Sequence, residues 1–324
     1  MKSILVIFLV FFIFPLFSQE KIKILDFKTK EPIPFVTVIL DNNNGIYSDE
    51  NGEIDNSFLT SEKIHLTCIG YDELEILVKD LLDNTIFLKS NTTFLNEVVV
   101  SNKNSKFKTS KFDVTKHNNF MDGHMLIIGG EISCFINNSN EGKTVQIKTI
   151  KIPVITKTIS FSKDKENKKQ IVKKLKFASK FKLSFYDNNN GKPGNPIYTP
   201  KSIVFNLSQE KSVFDINISD YDIYLPNEGL FVSLINLGPV DENDKFIQSE
   251  PFEVKQFNGK QVKVVKPTKP FFPVIKEWNA SKTFYRFSFD NDSKWEMFYK
   301  HGKKNNSEVH NLGIGYELNV YEQF

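Results

Sequence analysis

From residue 19 onward the chain is written in short runs of alternating apolar and polar side chains, bounded by Asn, Asp, Gly or Pro. Such alternation places successive side chains on opposite faces of a strand. Its recurrence roughly every 8–15 residues predicts an all-β protein. Clear cases are residues 35–40, 63–69, 177–186, 201–207, 231–237, 252–265, 283–289 and 294–299. Asn258-Gly259 lies at the centre of the run 252–265 and predicts a hairpin, because a type I′ turn needs positive φ at both central residues. Helical periodicity is scarce, and residues 74–82 hold one short turn at most. At the other end Tyr316, Leu318 and Val320 alternate as a last sandwich strand.

The first residues follow a different rule. Lys2 precedes an apolar run over residues 4–17, broken only by Pro15, and the small Ser18 follows. That run is shorter than the ~20 residues a membrane-spanning helix needs, so residues 1–18 read as a cleaved signal peptide. The product is expected to be exported and to be periplasmic, outer-membrane-associated or secreted. No transmembrane segment is expected in the mature chain.

Residues 19–100 carry four ordered motifs. Pro32 and Pro34 keep the start of their strand off a central ladder; Val36, Val38 and Leu40 then face one side, and Thr37 and Ile39 the other. Asp49, Glu50, Asn51 and Gly52 make a tight turn in which Gly52 is free to take positive φ. The apolar run 64–69 ends on Gly70, read as a bulge, and Tyr71, read as a cap on the sandwich end. Residues 95–100, from Leu95 to Val100, close the series. Together these motifs resemble the carboxypeptidase regulatory-like domain, a seven-stranded prealbumin-like sandwich found at the N-termini of exported Bacteroidetes proteins, TonB-dependent receptors among them. The resemblance implies an accessory or docking module, because in carboxypeptidases this domain accompanies a separate zinc-binding catalytic one. It does not imply transport, since a plug and barrel need several hundred more residues.

Residues 101–116 are polar and rich in lysine and serine, which predicts a linker. Residues 117–324 predict a second, larger jelly-roll-like β-sandwich. A strand over 181–187 enters a long turn at 191–196 and is followed by 216–226 and 229–234; this order resembles the domain that follows the regulatory-like one in exported Bacteroidetes proteins and, more loosely, carbohydrate-binding sandwiches. The expected fold class is therefore all-β, a small seven-stranded prealbumin-like sandwich followed by a larger jelly-roll-like one.

Composition narrows the chemistry. The 324 residues hold 42 basic against 39 acidic side chains, which gives no global charge for nucleic acid. Arg286 is the one arginine, and the guanidinium fork is the preferred tool for bidentate base and phosphate recognition, so sequence-specific nucleic-acid binding is not expected. Cys68 and Cys134 lie in apolar runs assigned to different domains and read as free core residues. None of the five histidines starts a zinc-hydrolase motif. His65 alternates with apolar strand residues and reads as a satisfied edge or core histidine, while His117, His124, His301 and His310 read as surface. No nucleophile elbow or phosphate-binding loop is present, so no catalytic residue, metal ligand or cofactor is singled out.

Two features remain as ligand candidates. Residues 163–176 contain Lys163, Lys165, Lys168, Lys169, Lys173, Lys174 and Lys176 against Asp164 and Glu166. They read either as an exposed connection kept soluble by charge or as an electrostatic patch for anionic polysaccharide, lipopolysaccharide or membrane phosphate. Trp278 sits in a loop-like context and is the candidate stacking platform, whereas Trp295 alternates with Met297 and Tyr299 as a packed sheet face. The candidate ligand-binding residues are thus Trp278, Lys168, Lys169, Lys173 and Lys174, for an anionic glycan or an envelope protein. A non-enzymatic binding protein is the favoured reading. A secreted hydrolase or hydrolase accessory subunit, with its site in residues 117–324, is the alternative, and a cleft of convergent carboxylates would mark it.

Overall fold

A computed structural model of the chain describes residues 21–91 (except Asn42 and Leu82), 106–114, 123–161, 170–277, 282–300 and 308–322. Within these residues the architecture is all-β, with helix confined to short 3₁₀ turns such as Val78–Asp80. Residues 1–18, expected to be a signal peptide, the motif at 95–100, Lys168, Lys169 and Trp278 lie outside the described residues. Among the described residues no helix is long and apolar enough to cross a membrane.

Seven strands make the first sandwich: β1 (Lys21–Asp26), β2 (Thr37–Ile39), β3 (Gly45–Tyr47), β4 (Glu53–Asp55), β5 (Lys63–Thr67), β6 (Leu74–Leu77) and β7 (Thr85–Leu88). One sheet runs β4-β1-β7 and the other β3-β2-β5-β6. The proline segment stays out of β2, whose pairing begins at Thr37, but it bridges β1 instead: Leu25 pairs with Pro32, and Ile33 N–H donates to Ile24 O at 2.9 Å. Val36, Val38 and Leu40 then enter a core with Ile22, Ile24, Ile54, Ile64 and Leu66. Gly52 takes φ +69° and donates its N–H to Asp49 O at 3.1 Å, closing the turn. Gly70 also has positive φ, and a Cβ there would meet the Tyr198 ring of the second sandwich.

The second sandwich begins inside the segment whose composition predicts a linker. β8 (Phe107–Phe112) pairs antiparallel with β26 (Gly315–Tyr321), and its phenylalanines explain why. Phe107 packs on Tyr321 and Phe112 on Tyr316, at centroid distances of 5.5 and 4.5 Å. Two aromatics among lysines and serines are therefore enough to hold an edge strand.

Next come β9 (Gly123–Met125), β10 (Gly130–Ile136), β11 (Val145–Pro153), β12 (Lys157–Phe161), β13 (Gln170–Lys174), β14 (Ala178–Asn189) and β15 (Lys192–Ile197). They are followed by β16 (Ile203–Ser208), β17 (Val213–Asn217), β18 (Leu230–Pro239), β19 (Phe252–Phe257), β20 (Lys260–Val265) and β21 (Phe271–Glu277). β22 (Thr283–Phe287), β23 (Glu296–Met297), β24 (Tyr299–Lys300) and β25 (Glu308–Leu312) complete the order before β26.

The large sheet runs β15-β14-β18-β10-β22-β23, with β16 also on β14, and a four-stranded sheet runs β17-β11-β26-β8. Ile132, Phe181, Leu183, Val232 and Leu234 of the first pack with Ile147, Ile150, Ile152 and Leu318 of the second. A register shift between Ile147 and Thr149 lets β11 keep Val145, Ile147, Ile150 and Ile152 in one core although the sequence period breaks there. Residues 294–299 depart from the single strand that their pattern predicts. They form two short strands, with Trp295 on the Tyr186 ring and Met297 exposed.

Candidate functional site

The large sheet has two faces, and the sequence alternation settles what each carries. Core-facing Phe181, Leu183 and Phe185 alternate with Lys182, Ser184 and Tyr186 on β14. Cross-strand register assembles the second set into rows. Lys182 stands opposite Ile235, Ile235 opposite Glu131, and Glu131 opposite Arg286; in the next row Ser184 faces Ser233, which faces Ser133. The short serines leave room for the Tyr186 ring to reach across toward Glu131.

There a closed polar node forms. Glu131 is 0% exposed; its Oε1 accepts from Ser233 Oγ at 2.6 Å and from the Tyr186 hydroxyl at 2.8 Å. Its Oε2 accepts from Arg286 Nε at 2.6 Å, while Arg286 Nη2 donates to the Tyr186 oxygen at 2.7 Å. The guanidinium also lies over the Trp295 ring at 4.4 Å and the Tyr186 ring at 5.1 Å. Burial, and then the Glu131 charge, push the Tyr186 hydroxyl well above the usual tyrosine range. Burial alone would disfavour the guanidinium, yet Glu131 and Tyr186 outweigh it and hold Arg286 more firmly charged. Burial lowers the Lys182 pKa against the opposing pull of Cys68 and Glu131.

The first sandwich covers part of this face. Phe35, Ile39 and Tyr47 pack with Ile128, Ile235, Leu237, Phe246 and Phe289 in one shared core. A Cβ at Gly45 or Gly129 would overlap Phe289, so two glycines from different sandwiches admit one ring. Gln248 adds polar stitching: its Nε2 donates to Tyr47 O (3.0 Å) and Glu53 O (2.8 Å), and its Oε1 accepts from Asp55 N–H (2.9 Å). His65 is held between Glu73 (3.2 Å) and Asn291 (3.4 Å), as its alternation predicts for a satisfied edge histidine. Cys68 and Cys134 are not joined in a disulfide; the first is half-buried, and the second is buried with its thiol against Leu312 O at 3.8 Å.

Beside the node lies a depression of about 330 Å³, lined by Arg286, Asp290, Asp292, Ser293, Lys294 and Glu296 together with Tyr285 and Phe287. The Asp290 carboxylate accepts from Asp292 N–H at 3.1 Å, which shapes the turn that forms its wall. Among the described residues no group of three or more His, Cys, Asp or Glu is placed to hold a metal ion. His124 corrects the surface reading of its segment, since its ring packs edge-on against Phe298 at 4.5 Å.

Of the sequence-predicted ligand residues, Lys173 and Lys174 lie exposed on β13. That strand pairs with β12, so part of the segment read as a connection is instead a two-stranded ribbon. Sequence reasoning missed the Glu131–Tyr186–Arg286 node because its members are far apart in the chain; the lone arginine was the only visible signal. Comparison with protein-family models, with curated proteins and with solved structures gives no match to this chain.

Proposed function

We propose that the chain is a non-enzymatic binding protein of the cell envelope, exported through a cleaved signal peptide, with the N-terminal sandwich as an accessory module. The observation that carries this reading is the closure of the Glu131–Tyr186–Arg286 node. A carboxylate, a guanidinium and a phenol converge there as they would in an active site, yet each satisfies another and the carboxylate is sealed from solvent. The groups serve to fix the face on which the first sandwich rests. The resemblance of residues 19–100 to the carboxypeptidase regulatory-like domain supports the accessory role, and the exposed lysines of β13 suit an anionic or acidic partner.

The hydrolase alternative has its own observation in Asp290, Asp292 and Glu296, three acidic residues that line one depression. A glycan array and a panel of envelope proteins, probed with the chain lacking residues 1–18, tests the two readings together. Saturable retention without product release supports binding. Turnover abolished by Asp290→Asn or Glu296→Gln would establish the hydrolase instead. The N-terminus of the secreted or periplasmic product, read by mass spectrometry, is expected immediately after Ser18.

A further inference from the structure

Two β-ribbons leave the larger sandwich at neighbouring points. The ribbon β12–β13 is closed at its root by Leu175 N–H donating to Thr156 O at 2.9 Å, and β19–β20 by Lys266 N–H donating to Pro251 O at 2.9 Å. Ile155 N–H donates to Phe271 O at 2.8 Å and Ser179 Oγ to Lys269 O at 2.8 Å, which ties the two roots together. Each ribbon is a sheet of two strands.

Their described residues carry Lys157, Lys173, Lys174, Lys255, Lys260 and Lys263 against the single acid Glu253. The whole chain, by contrast, nearly balances 42 basic with 39 acidic side chains. Lys255 reaches Glu253 at 2.7 Å, and Lys263 lies over the Phe252 ring at 4.7 Å. Lys157 stands directly opposite Lys174, a like-charge pairing that costs stability until an anion lies over it. The same ribbons expose Ile171, Val172, Val254, Phe257, Val262 and Val265; Phe257 (61% exposed) and Val262 (41%) share one face of the second ribbon with Lys255 and Lys260. Asn258 and Gly259 both take positive φ, giving the I′ turn that the sequence predicts and setting Phe257 beside Lys260 at the tip.

A soluble polyanion would be satisfied by the lysines alone. Valine and phenylalanine interleaved with them match a surface that presents phosphate above an apolar layer. We propose that the two ribbons together dock the protein on an anionic phospholipid bilayer, lysines at the phosphate plane and Phe257 and Val262 among the upper acyl chains. A two-stranded ribbon has unpaired N–H and C=O groups along its outer edges, which headgroups and water satisfy and hydrocarbon does not. The ribbons therefore lie in the interfacial layer and do not span. This deepens the envelope-binding reading and rests on it for access to such a membrane.

The test is co-sedimentation of the chain lacking residues 1–18 with vesicles of phosphatidylcholine, with or without phosphatidylglycerol. Binding is expected to be at least about tenfold stronger with phosphatidylglycerol and to weaken as salt is raised. The double variant Phe257→Ser, Val262→Ser keeps every charge and is expected to lose about tenfold in affinity. The double variant Lys173→Glu, Lys174→Glu is expected to lose binding mainly at low salt. All four positions are exposed, so an unchanged melting temperature separates lost docking from lost folding. Equal binding to neutral vesicles, or full binding by the Ser variant, overturns the proposal. So does preference for a soluble anionic polysaccharide or for lipopolysaccharide over phosphatidylglycerol vesicles. Absent vesicle binding with glycan or envelope-protein binding retained overturns the docking alone. A chain kept in the cytoplasm with residues 1–18 uncut overturns the envelope reading, whatever the vesicles show.

Discussion

Arg286 and Glu131 form an unequal pair, and the inequality has consequences. The arginine side chain is partly exposed while the carboxylate is sealed. Removing the arginine leaves a buried carboxylate without its ion-pair partner, whereas removing the carboxylate leaves a cation that can turn toward water. Arg286→Ala is therefore expected to cost about 3–5 kcal/mol and Glu131→Ala less, as read from urea unfolding of each variant. A second residue-scale prediction concerns Glu317, which Lys151 at 3.1 Å holds below the usual carboxylate value of 4.5. A depressed folded pKa contributes stability that is present above 4.5 and lost as pH falls through the folded value. Lys151 is raised above 10.5 by the same contact, so its share is present below 10.5 and lost as pH rises beyond it. Thermal melting across this range should show a plateau with an acid-side fall, and Glu317→Gln should flatten that fall.

At the scale of the element, β8 is the most telling case. Its composition predicts a linker, and it earns its place through two aromatic contacts on β26. A fragment cut at residue 117, where composition would place the boundary, loses this strand and bares an edge of β26. That fragment is expected to aggregate more readily than one starting at residue 106, as measured by light scattering at matched concentration. The bulge in β11 makes the related point that a period-2 pattern can break without ending a strand. The Asn258-Gly259 hairpin, in contrast, was legible outright, because its turn chemistry is local and needs no partner.

For the whole molecule, the shared core around Phe289 decides the behaviour. Phe35, Ile39 and Tyr47 from one sandwich and Ile235, Leu237 and Phe246 from the other bury one another, so neither unit keeps a complete surface alone. The wild-type chain is expected to unfold in one calorimetric transition. Phe289→Ala leaves a cavity at the seam, with an expected cost of about 3–5 kcal/mol, and should separate the melting into two transitions. Gln248 reinforces the seam with three hydrogen bonds to backbone atoms of the first sandwich. A buried joint of this kind ties the first sandwich to the second through side chains of both.

What the amino-acid sequence alone determined is everything that depends on near neighbours. Alternation settled the all-β class and the inward set Val36, Val38 and Leu40; turn residues settled Gly52 and Asn258-Gly259. Those properties follow from sterics and from the two-residue period of a strand, which act within a few positions of the chain. The tertiary structure alone decided which outward faces become inward. Ile39 and Tyr47 point away from their own core and are buried only because the second sandwich arrives. Glu131, Tyr186 and Arg286 are distant in sequence and meet only through cross-strand register, and the two lysine-bearing ribbons become neighbours only through hydrogen bonds at their roots. Burial and register are properties of strand pairing between distant segments, and no window along the chain contains them.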